Sequence, residues 1–133
     1  MMMELDDQSR IDLVKYRIAR SRETLKEAEL LAREKFYNAA INRLYYACYY
    51  ASVALLLNNR IPSQTHSGVK SMIGLHFVSK GIMPLKIGKT LSTLFEKRQS
   101  GDYDDFVLCD KDMVDELTPK AVEYIDFVES LLK

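Results

Sequence analysis

One stretch constrains the chain more than any other: residues 37–57, YNAAINRLYYACYYASVALLL, which carry a single charge, Arg43, and neither Gly nor Pro. Wound at about 100° per residue, its apolar positions fall on every side, so it reads as a central helix buried all round. Its length would span a bilayer, yet Asn38, Asn42, Arg43 and five tyrosines make that costly, and a soluble bundle is the expected setting. Arg43 shares a helical face with Tyr46, Tyr50 and Ala54, while Leu44, Cys48, Ala51 and Leu55 lie on another. A guanidinium there cannot lose its proton and needs partners, either an internal carboxylate or carbonyl, or a bound anion.

The flanking segments read as helices around this rod. From about Gln8 to Glu34, with Asp7 or Ser9 as cap, Ile11, Val14, Ile18, Leu25, Ala28 and Ala32 form one apolar stripe. Beside it Lys15, Arg22, Lys26 and Arg33 form a basic row, read as a solvated face before a phosphate track. The run NNRIPSQTHSG is turn chemistry that ends the central helix. A third helix is expected from Ser67 to Ser79, stopped by Gly81. A fourth opens near Pro84, with Leu85, Gly88, Leu91, Leu94 and Phe95 inward. RQSGDYDDF then reads as a polar loop, and a last helix runs from about Lys111 to Leu132, with Pro119 either kinking or restarting it. No stretch alternates as a strand does. The expectation is a single domain over 1–133, all-α, an up-and-down bundle of four or five helices.

Charge is distributed unevenly although the net is zero. Residues 1–34 carry 7 basic and 8 acidic side chains, residues 35–98 carry 9 and 1, and residues 99–133 carry 3 and 10. A middle segment this basic implies an anionic ligand, a partner, or the acidic last helix lying beside it. Two cysteines, Cys48 and Cys109, sit in unrelated contexts, which suggests a reducing, cytosolic compartment and argues against zinc. Asp102, Asp104 and Asp105 lack the further ligands of a calcium loop, and neither metal nor cofactor is expected.

The candidates for chemistry are Arg43, Arg60, His66, His76, Arg98, Asp102 and Tyr103, in or beside the basic middle. Arg60 and His66 are separated by five residues, a spacing that eight arginines and two histidines also produce by chance. His66 lies in a loop just ahead of a helix, where a histidine is either an exposed base or a plain cap. His76, between Leu75 and Phe77, reads as a core histidine. The tyrosines at 45, 46, 49 and 50 read as packing, with one ring stacking a base as the alternative.

The string NRLYYACYYASVALL, then PSQTHSGV, then Phe77-Val78 and RQSGDYDDF, resembles the HEPN domain (higher eukaryotes and prokaryotes nucleotide-binding) in its small stand-alone prokaryotic form. The resemblance runs from the first helix to the last. It implies an all-α bundle that pairs into a homodimer with a basic cleft across the axis. It also implies a metal-independent endoribonuclease or RNA- or nucleotide-binding module, in many members beside a minimal nucleotidyltransferase in a toxin and antitoxin pair. The family's ribonuclease signature is Arg, four to six residues, then His. Arg98 matches the arginine, but Tyr103 stands where the histidine would fall. A phenol with pKa near 10 is a poor base at neutral pH. Under this resemblance Arg98, Tyr103 and His66 are the candidates for catalysis, and Arg43, Tyr46, Arg60 and Asp102 for RNA or nucleotide contact. The rival reading is a non-catalytic helical protein that binds a nucleotidyltransferase.

Overall fold

The computed structural model describes residues 6–103 and 109–132, the side chains of 99–103 excepted. Five α-helices follow in order: α1 (Asp7–Arg33), α2 (Tyr37–Asn58), α3 (His66–Ile73), α4 (Leu85–Tyr103) and α5 (Lys111–Ser130), with a π-helical turn, Gly74–Val78, continuing α3. The described residues contain no strand. None of their helices is long and apolar enough to cross a membrane. The expected all-α bundle is what forms.

Short connections set the geometry. Asp6, not Asp7 or Ser9, caps α1 by accepting from the Ser9 N–H at 2.7 Å. The helix ends with Lys35 at φ 68°, the Lys35 N–H donating to Ala32 O and the Phe36 N–H to Leu31 O. This left-handed cap turns the chain back, so α2 lies antiparallel along α1. The same device closes α2. Arg60 sits at φ 57°, its N–H donating to Leu57 O and the next one, of Ile61, to Leu56 O.

α2 packs against α1, α3, α4 and α5. Ala40, Ile41, Leu44, Cys48, Ala51 and Leu55 are buried on it, and meet Leu25 and Ala28 of α1, Leu91 and Leu94 of α4, and Ala121, Ile125 and Val128 of α5 in one core. Inside the core, Ser52 Oγ donates to Cys48 O at 2.8 Å and lies 2.5 Å from the Tyr124 hydroxyl. The serine's one proton is committed to the carbonyl, so Tyr124 donates to Ser52 and both hydroxyls are satisfied.

Four expectations need correction. α2 is not buried all round: Arg43, Tyr46, Tyr49, Tyr50 and Val53 are only partly covered, because rings with a hydroxyl tip tolerate a half-wet position. RQSGDYDDF is not all loop, since α4 continues through Tyr103; a lone Gly101 costs a helix too little to stop it. Leu85, expected inward, is 60% exposed. Of the two readings of Pro119 the restart is excluded, since α5 is continuous past it and Thr118 donates back to Val114 O at 2.7 Å instead of capping.

The basic and acidic segments meet along α4 and α5. Between these helices runs a groove of about 830 Å³, with Lys86, Lys89 and Lys97 on one wall and Asp112, Glu116 and Glu123 on the other. Part of the charge asymmetry is therefore balanced within the fold. The arginines are disposed elsewhere.

Candidate nucleic-acid interface

Helical spacing puts Tyr45 above Tyr49 and Tyr46 above Tyr50, two adjacent rows on one side of α2. The rings touch edge to face: Tyr45 and Tyr46 have centroids 5.2 Å apart, Tyr46 and Tyr49 6.0 Å, and Tyr49 and Tyr50 5.9 Å. Tyr45 is 1% exposed, and the other three are partly open. A buried ring thus floors a surface made by its neighbours.

His66 stands on this surface. It is the first residue of α3, one earlier than the sequence suggests, because Thr65 is the cap and accepts from the Gly68 N–H at 2.9 Å. The Tyr45 hydroxyl lies 2.7 Å from His66 Nδ1. The imidazole stacks on Tyr49 with centroids 4.3 Å apart and planes 15° from parallel, and meets Tyr46 edge-on at 5.7 Å. Burial pushes the Tyr45 phenol far up, so it stays neutral and engages Nδ1 as a hydroxyl. In either tautomer this leaves Nε2 as the nitrogen able to exchange a proton with a ligand. Burial, and secondarily the Arg98 charge, push the His66 pKa below its ordinary 6.5, so the ring is neutral at pH 7. A neutral imidazole is the form a proton acceptor needs.

Arginines from three helices rim the rings. Arg98 of α4 donates from Nη2 to the Tyr46 hydroxyl at 3.3 Å, with its guanidinium carbon 5.4 Å from the centroids of both Tyr45 and Tyr46. Arg43 of α2 lies 5.0 Å over Tyr46 from its own side. It also donates from Nε and Nη2 to Asn42 Oδ1, at 3.1 and 2.8 Å, and reaches Glu27 of α1 at 3.7 Å. At 29% side-chain exposure, Arg43 has an internal carboxylate partner and a solvent-facing position at once. The guanidinium carbon of Arg20, on α1, lies 5.5 Å from the Tyr50 ring centroid. Each contact is cation–π, which keeps the face of a guanidinium against a ring.

Of the residues proposed from sequence, Arg43, Tyr46, His66 and Arg98 come together here. Arg60 is occupied structurally instead, because its left-handed backbone ends α2 and its Nη2 pairs with Asp7 Oδ1 at 2.6 Å. The side chains of Asp102 and Tyr103 lie outside the described residues, and the backbone places both in the last turn of α4. His76 is part of the π-helical turn, half-buried. The large α4–α5 groove is lined by none of these candidates. Tyr45 and Arg20 were missed. The tyrosine cluster itself was the signal for Tyr45, whereas nothing in α1 singles out Arg20 among its basic neighbours. Among the described residues no three His, Cys, Asp or Glu side chains gather at metal-holding distance.

Comparisons with known proteins agree with this architecture. The HEPN domain family matches residues 14–131. A UPF0332 protein of Thermotoga maritima is 34% identical over 91% of this chain and 92% of its own length. A Methanocaldococcus jannaschii protein, whose name marks it as a toxin candidate, is 27% identical over 86% of this chain and 78% of its own. Among solved structures, an archaeal HEPN homologue superposes with a TM-score of 0.74 at 18% identity, covering 90% of this chain and 98% of that one. On the extent of these matches, this chain belongs to the HEPN domain family.

Proposed function

We propose that this chain is an RNA-directed module whose tyrosine-floored, arginine-rimmed face binds RNA phosphates, and that it cleaves RNA there without a metal ion. The observation that carries the reading is the His66 environment: Tyr45 engages Nδ1 at 2.7 Å and the Arg98 charge acts on the same ring. With RNA in the cleft and the neutral His66 ring in the tautomer whose Nδ1–H donates to the Tyr45 oxygen, the 2′-OH attacks the adjacent phosphorus and gives its proton to the unprotonated Nε2. The P–O5′ bond breaks, leaving a 2′,3′-cyclic phosphate and a 5′-oxygen that takes up a proton to become a hydroxyl. Tyr103 is the second proton carrier in this reading. Arg98 and Arg43 stabilise the extra negative charge on the five-coordinate phosphorus. Two copies pair with these faces toward a shared axis, and a minimal nucleotidyltransferase is the partner that restrains them. Relatives named as toxin candidates are consistent with an RNA-cleaving toxin.

The test is an RNase assay in EDTA with His66→Ala and Arg98→Ala. We expect cleavage by the wild type and at least about a hundredfold loss in each variant. Full activity in both removes these residues from the chemistry.

A second reading, a non-enzymatic partner-binding protein, draws on Tyr103 standing where the family's histidine would fall and on the close stack of His66 on Tyr49. In that case no cleavage occurs, and the same face is an interface for the nucleotidyltransferase.

A further inference from the structure

We infer that the groove between α4 and α5 seats the exposed ridge of α1 from a second copy of this chain, in a head-to-tail contact additional to pairing at the tyrosine face. It does not depend on the RNA reading.

The groove holds about 830 Å³, and its two walls carry opposite charge: Lys86, Lys89 and Lys97 on α4, Asp112, Glu116 and Glu123 on α5. Among the described residues none of these lysines lies within ion-pair distance of a carboxylate, and of the three carboxylates only Glu116 is engaged, by Lys120 of its own helix at 3.3 Å. The facing charges are held apart by an open channel. Thr90 and Thr93 keep its middle free of bulky side chains. Leu85, at one end, is 60% exposed, an uncovered apolar group at the mouth. The carboxylate wall repels a nucleic-acid strand laid along the channel, and the lysine wall repels a purely basic segment. A fitting occupant carries both signs, one along each edge.

α1 has this pattern on its outer face. At about 100° per residue, Lys15 and Lys26 fall about 20–40° to one side of Ala19, and Asp12 and Glu23 as far to the other. All five residues are exposed. Asp12 accepts from the neutral Gln8 side chain, and Glu23 reaches Arg20 at 3.6 Å yet keeps its side chain 63% exposed. Leu30 and Tyr16, on or beside the same ridge, are more than half exposed and supply apolar surface to bury. The spacing matches as well. Lys15 and Lys26, Asp12 and Glu23, Lys86 and Lys97, and Asp112 and Glu123 are each 11 residues apart, about three turns or ~16 Å.

A helix can lie along a groove in two directions. One brings Asp12 and Glu23 to the α4 lysines and Lys15 and Lys26 to the α5 carboxylates. The other opposes like charges, so the pattern fixes the direction. Ridge and groove are different surfaces, and each copy offers its α1 to one neighbour and its groove to another. Such a heterologous contact builds a ring or a filament. About three helical turns bury little area, so the association is reversible and grows with concentration.

Sedimentation velocity at low salt, from about 5 to about 500 µM, tests the contact. The wild type is expected to form species larger than a dimer, which dissociate as salt is raised. Two double variants, Lys86→Glu with Lys97→Glu and Asp12→Lys with Glu23→Lys, each set like charges across the contact and should associate at least about tenfold more weakly. Mixed together they should form a complex that neither forms alone, because the basic ridge of one suits the acidic groove of the other. Circular dichroism checks that both fold. A wild type no larger than a dimer throughout, as a groove reserved for a different protein would give, overturns the proposal. So does association that either double variant keeps at full strength, or that mixing fails to restore.

Discussion

At the scale of single residues, His66 carries the account. Its folded-state pKa lies below 6.5, for burial first and the Arg98 charge second. The unfolded chain therefore binds more protons between the two values, and stability contributed by the neutral ring is present above pH 6.5 and lost as pH falls through that window. An NMR titration of the His66 ring should give a midpoint below 6.5 that rises in Arg98→Ala. A midpoint at or above 6.5 in the wild type contradicts the packing described. Little of this environment was legible in the sequence. Tyr45 and His66 are 21 residues apart, and their pairing exists only because the cap at Thr65 sets α3 against α2. Arg60 shows the opposite limit. Its spacing to His66 suggested a shared site, but a left-handed backbone and an ion pair to Asp7 are tertiary facts that spacing does not encode. Arg43, by contrast, was placed beside Tyr46 by helical spacing, and Arg98 was singled out by the family's arginine position and not by the tyrosines.

Among the elements, α2 was read correctly in extent from its lack of breakers and its near-continuous apolar pattern. The end of α4 was not, because RQSGDY is polar without containing a residue that forbids a helix. That extension matters for the site, since it makes Arg98 a helical residue held in register with Leu91 and Leu94, both buried. The register depends on close approach at the other end of α4. A Cβ at Gly88 would lie 2.6 Å from Val78 Cγ2 in the π-helical turn, and a β-branched valine has little freedom to yield. Gly88→Ala should thus destabilise the protein by about 1–3 kcal/mol despite alanine's better helix propensity. Thermal or urea unfolding measures it; a stabilised variant would mean that α4 shifts freely on α3.

For the whole molecule, the question is where the charge goes. The lysines of α4 face the carboxylates of α5 across a groove, so that part of the positive middle has an acidic neighbour. The arginines behave differently. Arg20, Arg43 and Arg98 converge from three helices on one set of rings, with Arg43 also reaching Glu27 and Arg20 reaching Glu23. The sequence announced the asymmetry but not this partition, because which helices lie side by side is decided by packing. Guanidinium groups gathered on one face predict binding governed by phosphate contacts and hence by salt. The most direct measurement is the affinity for a short single-stranded RNA as a function of salt concentration, in the wild type and in Arg98→Ala. With two or more phosphates held at the tyrosine face, the log-log slope should be steeper than about −1 and become shallower by about 0.7 in the variant. A flat wild-type response, or a slope that Arg98→Ala leaves unchanged, would contradict the assignment of this face to RNA.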